Sequence, residues 1–282
     1  LPIRPDNSNK GTFGSVFNIA GSFGMTGAAY LSSCASLKVG AGYSILATGE
    51  SLIPILSILT PDLVFTPLKE TENKAISLES LNIAIDKSQK SNIYLLGPGI
   101  GTHPSTIDFV EEFIQQAANT DKKLILDADG LNCLAKIKNA VLPAHTIITP
   151  HALELSRLMN VNIEDILSDR IKWASAAAQK FNAIVVLKGS RTIIAKPEGN
   201  VYINPTGCSA LAKAGSGDVL AGMIAGFAAQ QCTLIDSAIL GTYLHGLTGE
   251  IAAKELTDYS VNASDLLNYI PAAINLIFYG QE

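Results

Sequence analysis

Short runs of β-branched and aliphatic residues alternate with longer helical patterns along almost the whole chain, and most of the runs end in a turn rich in glycine, proline or aspartate. This alternation is the mark of βαβ units, which build a mainly parallel sheet with helices on both faces. Strands are expected at Ser15–Ala20, Tyr43–Ala47, Ile93–Leu96, Leu124–Asp127, Thr146–Thr149 and Ile184–Leu187, each brief and apolar as a strand buried on both faces should be. Helices are expected at Gly27–Lys38, His103–Ala118, Ala152–Met159, Ile163–Phe181, Asp218–Gln230, Leu234–Leu256 and Ala263–Phe278. The turn Lys196-Pro-Glu-Gly-Asn200 predicts a two-stranded ribbon over Arg191–Ala195 and Val201–Asn204. Nothing resembles a repeat or a linker, so the 282 residues are read as one α/β domain spanning 1–282.

Composition narrows the partners. Hydrophobic residues make up 48% and charged residues 16%, which argues against a disordered or coiled-coil chain. A net charge of −5 gives no electrostatic reason to expect nucleic acid or an anionic membrane, so a small-molecule partner is favoured. The longest nearly uncharged run, Val219–Ala229, falls far short of the roughly 20 residues that span a bilayer. No signal-peptide pattern opens the chain, and the cytoplasm is the expected location. Cys34, Cys133, Cys208 and Cys232 form no C-x-x-C pair, and His103, His145, His151 and His245 form no H-E-x-x-H, so structural zinc and a disulfide framework are not expected.

The chemistry is expected in the turns. Ala214-Gly-Ser-Gly-Asp218 opens an apolar helix, where backbone amides and the helix dipole together make an anion hole and a first-turn carboxylate can act on a neighbouring hydroxyl. The plainer reading is a glycine turn with Asp218 as helix cap. Gly97-Pro-Gly-Ile-Gly101 follows a strand but lacks G-x-G-x-x-G spacing, and Gly21-Ser-Phe-Gly-Met-Thr-Gly27 lacks the Lys-Ser/Thr pair of a P-loop. Leu126-Asp-Ala-Asp-Gly-Leu-Asn132 sets two carboxylates at a strand end, for magnesium, a ligand hydroxyl or helix capping. Thr149-Pro-His151 sets an imidazole at another strand end, as a ligand contact or a cap. Lys188 and Arg191, just past a strand, suit a polyphosphate or are solvated surface cations. Together the turns point to one cleft.

Read in order, these motifs resemble a known family. Lys10-Gly-Thr-Phe-Gly14, Ala20-Gly-Ser-Phe-Gly-Met-Thr-Gly-Ala-Ala29 and Gly40-Ala-Gly42 are similar to the opening of the ADP/ATP-dependent NAD(P)H-hydrate dehydratases. GPGIG at 97–101, LDADGLN at 126–132, TPH at 149–151, LKGSRT at 187–192 and AGSGD at 214–218 follow in the family's order, so the resemblance covers residues 4–250. It implies a ribokinase-like fold and a lyase that restores NADH or NADPH from the S-epimer of its hydrate, NADHX or NADPHX. The ring hydroxyl is phosphorylated by ADP or ATP with Mg2+, and phosphate is then eliminated. It further implies Asp218 as catalytic base, with the amides of Gly215 and Gly217 holding the transferring group. Lys188, Gly189, Ser190, Arg191, Thr192 and Gly217 are the implied nucleotide site, and Ala41, Gly101, His151 and Asp218 the implied substrate contacts. The magnesium ligands are not legible. A homo-oligomer, of which a tetramer is the favoured form, is expected from the family and from the small-residue, apolar helices near the C-terminus. In some relatives an epimerase domain precedes this one, and Leu1-Pro-Ile-Arg-Pro5 resembles such a junction.

The chain also departs from the family pattern. Where many relatives read T-G-N-P-G-M-A-T, it reads Thr206-Gly-Cys-Ser-Ala-Leu-Ala-Lys213, which removes an amide at Cys208 and adds a cation at Lys213. Asn9 stands where a His is frequent, and Ala152-Leu153-Glu154 replaces P-G-E. Two competing readings use the same anion hole: a kinase of a small vitamin alcohol, and a nucleotide-binding module without catalysis.

Overall fold

The computed structural model of the chain describes residues 1–280. Nine strands form one sheet in the order β3-β2-β1-β4-β5-β6-β7-β8-β9. They are β1 (Ser15–Ile19), β2 (Tyr43–Gly49), β3 (Val64–Leu68), β4 (Ile93–Leu96), β5 (Lys123–Leu126), β6 (Thr146–Ile148), β7 (Ile184–Leu187), β8 (Ile193–Ala195) and β9 (Val201–Ile203). The strands from β3 across to β7 are parallel, and the β8–β9 ribbon closes the far side antiparallel.

Helices cover both faces: α1 (Thr26–Lys38), α2 (Ile53–Leu59), α3 (Leu81–Ser88), α4 (Pro104–Ala118), α5 (Asp129–Leu134), α6 (Ala152–Met159), α7 (Ile163–Ser168), α8 (Arg170–Phe181), α9 (Ser216–Ala229), α10 (Leu234–Ser260) and α11 (Ala263–Tyr279). The period of two along each strand sorts its side chains between two cores. Tyr94 and Leu96 of β4 join Phe109, Val110 and Phe113 of α4, while Ile93 and Leu95 join Leu220, Ala221 and Ile224 of α9. Phe17, Tyr94 and Phe113 meet edge-on in the first core. In the second, Gly222 and Gly226 bring α9 directly onto α1, since a Cβ at Gly222 would stand 2.1 Å from the Ser32 carbonyl oxygen. That contact explains two glycines inside an otherwise aliphatic helix. Among the described residues no helix is long and apolar enough to cross a membrane.

Most expected strands and helices lie within a few residues of their sequence positions, with informative exceptions. The sequence reading omits β3, because Pro67 and the flanking Lys69 and Glu70 look unlike a strand. Pro67 is tolerated because β3 pairs only with β2 and its other side is a free edge. The single helix expected over Ile163–Phe181 is two, broken at Asp169, whose carboxylate accepts from the Lys172 amide at 3.0 Å and starts α8. The short helices α2, α3 and α5 also escape the sequence reading, having too few turns for a clear period.

The chain runs from β1 to β2 in one direction and later crosses back to place β4 on β1's other side, so the loops at the carboxyl ends of β1 and β4 diverge. Ligands bind at such a switch point in open α/β sheets. Here the two loops are tied together, with the Gly21 amide donating to the Pro98 carbonyl at 2.8 Å and the Ser22 hydroxyl to the Gly99 carbonyl at 2.8 Å.

Candidate active site

A cavity of about 1040 Å³ opens at the carboxyl ends of β5, β6 and β7, under the amino end of α9 and beside α10. Lys188, the first residue after β7, crosses its floor. Its ammonium lies 2.6 Å from an oxygen of Asp127 and 3.6 Å from one of Glu154. Asp127 is 1% exposed and accepts a second bond, at 2.7 Å, from the Thr149 hydroxyl. Burial opposes the charge on Lys188, but Asp127 and Glu154 outweigh it and hold the ammonium above its ordinary range. Arg170 of α8 staples the turn from below, donating to the Ser190 carbonyl at 2.6 Å and to that of Leu187 at 3.2 Å. Arg191 is in the left-handed region and donates to the Pro205 carbonyl at 2.7 Å, joining this turn to the end of the ribbon.

The β5 turn is strained. Ala128 has φ 49° and ψ −119°, a conformation that favours glycine, and it sits between Asp127 and Asp129. Ala128→Gly is therefore expected to raise stability by roughly 1 kcal/mol, the relieved strain exceeding the added chain entropy. Thermal unfolding of the two proteins measures it.

His151 begins α6 as its cap: Nδ1 accepts from the Glu154 amide at 3.2 Å, and the Glu154 carboxylate accepts from the His151 amide at 2.7 Å. The imidazole is half-buried at the cavity wall, and burial and the Lys188 charge lower its pKa. Burial raises that of Glu154 to about 6.

Beside Lys188, α9 begins at Gly215, with φ +90°, where a Cβ would stand 2.7 Å from Leu31. The Ser216 hydroxyl lies 3.1 Å from Nε2 of the buried His245 on α10, which pins the helix end. Burial lowers the His245 pKa to about 4, so this imidazole is neutral. A Cβ on Gly217 would be 3.5 Å from the Lys188 ammonium, so the lysine lies directly beside the amide end of α9. The first-turn amides of a helix have no carbonyl partner within it and attract anions. Asp218 stands in that first turn. Burial, with Asp127 next, raises its pKa from 3.8 to about 7, against a smaller opposing pull from Lys188. The arrangement is a lysine held between two carboxylates, the amide end of a helix beside it, and a carboxyl group poised to exchange a proton near neutrality.

The family model for NAD(P)H-hydrate dehydratase matches residues 16–272. The chain belongs to the NAD(P)H-hydrate dehydratase family. Its fold matches the crystal structure of the ADP/ATP-dependent NAD(P)H-hydrate dehydratase from Bacillus subtilis, co-crystallised with ATP and Mg2+, with a TM-score of 0.85. The two are 28% identical over 98% of this chain and 94% of that one. In sequence it is 31% identical to the ADP-dependent (S)-NAD(P)H-hydrate dehydratase of Bacillus subtilis, over 96% of this chain and 92% of the relative. It is 37% identical to the bifunctional NAD(P)H-hydrate repair enzyme of Thermofilum pendens, over 98% of this chain and 53% of the relative. The chain thus spans about half the length of that bifunctional protein.

Set against this dehydratase-family frame, the sequence-derived site residues separate into groups. Lys188, Gly189, Ser190, Arg191, Thr192, His151, Gly215, Gly217 and Asp218 all line the cavity. Gly101 does not. It lies in the turn after β4, where a Cβ would meet Ser22 at 3.9 Å and Met25 at 4.0 Å. Ala41 is elsewhere: it precedes β2, at the amino edge of the sheet opposite the cavity, packed with Val16, Ile93 and Ala229 and with its amide on the Ser36 carbonyl. Within this chain the sheet stands between Ala41 and the cavity. Cys208 and Lys213 both line the cavity, and the Lys213 ammonium is held by the Tyr259 carbonyl at 2.6 Å. Sequence reasoning missed Arg170, Ser216 and His245 as supports, because each acts through a contact between segments distant in sequence.

The carboxylates at the cavity are already engaged. Asp127 is bound by Lys188 and Thr149, and Glu154 by the cap of α6. Among the described residues no three metal-ligating side chains converge. The residues therefore do not fit a dedicated Mg2+ cage.

Proposed function

We propose that the chain dehydrates the S-epimer of NADHX and NADPHX, using ADP or ATP as phosphoryl donor. Asp218 carries this reading. A carboxyl group that ionises near pH 7, in the first turn of α9 and near Lys188, suits a base that takes the proton of the ring hydroxyl as that oxygen attacks phosphorus. The amides of Gly215 and Gly217 would hold the anionic oxygens of the transferring group, and Lys188 the phosphate beside them. Gly189, Ser190, Arg191 and Thr192 would hold the nucleotide, and His151 and Gly101 the cofactor hydrate. The ring nitrogen then pushes electrons toward the ring carbon that carries the phosphate, the C–O bond breaks to release phosphate, and loss of a proton from the neighbouring ring carbon to water restores the double bond. Mg2+ is expected to travel with the nucleotide, on phosphate oxygens and water. We place the enzyme in the cytoplasm as a homo-oligomer, with a tetramer as the favoured form.

The test mixes the protein with NADHX or NADPHX, Mg2+ and either ADP or ATP, beside an Asp218→Ala control. Regain of the reduced nicotinamide's near-ultraviolet absorbance, dependent on nucleotide and on Asp218, supports the reading and names the donor. Nucleotide binding without regain contradicts it and favours the kinase or the silent binder.

A further inference from the structure

Two carboxylates leave the β5 turn in different directions. Asp127 turns into the cavity, to Lys188 and Thr149. Asp129 turns toward β4, where one oxygen accepts from the Gly101 amide at 2.9 Å. Its other oxygen accepts from the Asn132 side chain at 3.2 Å, and Asn132 in turn accepts from Arg157 of α6 at 2.8 Å. A hydrogen-bonded chain thus links the turn after β4 to the helix that His151 begins. The strained Ala128 lies where the two carboxylates part, and strain of this kind persists only where the surroundings enforce it. Simple capping of α5 requires neither the strain nor the contact across strands.

We propose that Asp129 is a positioning residue, which fixes the Gly97–Gly101 turn through the Gly101 amide and adds one of the negative charges gathered around Asp218. The inference rests on the dehydratase reading. Four charged groups act on Asp218: Asp127 from the β5 turn, Lys188 from the β7 turn, Asp129 from α5 and Glu154 from α6. The three carboxylates disfavour its ionisation, after burial, and Lys188 favours it. Asp129 differs from Asp127 and Glu154 in having no contact with Lys188, so it can be changed without breaking the floor of the cavity.

Asp129→Asn keeps an acceptor for Gly101 and removes the charge; Asp129→Ala removes both. In the full chain, Asp129→Asn is expected to hold KM for the hydrate within about threefold and to move the acid limb of kcat/KM down by on the order of half a pH unit. Asp129→Ala is expected to raise KM by roughly tenfold or more, the usual loss for a hydrogen bond to a charged group. It should also speed hydrogen exchange at the Gly101 amide. An acid limb in Asp129→Asn that superimposes on the wild type, or a KM in Asp129→Ala within about twofold of it, overturns the proposal. Absence of turnover in the wild type strikes the dehydratase reading instead. An NMR titration of the Asp218 carboxyl and exchange at the Gly101 amide then decide about Asp129 without activity: unchanged values in the variants overturn its role, and shifted ones support it.

Discussion

Asp218→Asn is expected to lower kcat by roughly a thousandfold while making the protein more stable at alkaline pH. The first effect is the loss of a general base, which typically costs 10²- to 10⁴-fold. The second follows from linkage. The carboxyl ionises at about 7 in the folded chain and at 3.8 in an ordinary setting, so between these values the folded state holds a proton that the unfolded chain has released. Stability contributed by this group therefore falls as pH rises from about 4 to above 7, and at pH 8 the ionised group costs on the order of 2–4 kcal/mol. Asparagine carries no such cost. Urea unfolding across pH should show the variant's advantage shrinking steadily as pH falls from about 8 toward 4, and a constant difference would contradict the assignment. In the wild type, kcat/KM should rise with pH through about 7, because only the ionised carboxylate accepts a proton.

Lys188→Met should fail differently. It leaves the Asp127 carboxylate, 1% exposed, without its cation, and breaking a buried pair in this way costs about 3–5 kcal/mol. For a chain of this size the melting temperature should fall by on the order of 10 °C. Adding Asp127→Asn should recover much of that stability, because it removes the stranded charge, yet it should not recover nucleotide binding. Calorimetry on the two single variants and the double variant separates the roles. Equal recovery of stability and of nucleotide affinity would mean that Lys188 supports the fold alone.

The legible part of the protein was the part written in local pattern. Ile93–Leu96 and Ile184–Leu187 are strands at their expected bounds because they are apolar on both faces, and the ribbon appears because its turn carries proline and glycine. The AGSGD turn was legible as the start of a helix with a first-turn carboxylate for the same reason, since its glycines and its carboxylate are contiguous. What was not legible depends on the path of the sheet. The strand order puts Asp127, Lys188 and Glu154 within one ion cluster although they are far apart in sequence, and nothing local in Glu154 announces a pKa near 6. The same path separates Ala41 from the site: a small residue between glycines reads alike at either edge of a sheet, and only the direction of β2 decides which edge it occupies. His245 was invisible for a third reason. Its single partner is a hydroxyl on another helix, so the sequence shows a lone histidine in an apolar stretch.

If this cavity joins phosphoryl transfer to dehydration, the two products must appear together. The most direct measurement follows inorganic phosphate and reduced nicotinamide together, in one reaction of the full chain with NADHX, Mg2+ and the nucleotide that supports turnover. One phosphate is expected for each reduced cofactor regained, with both signals lost in Asp218→Asn. A stable phosphorylated product without reduced cofactor, or reduced cofactor regained without phosphate, would contradict that coupling.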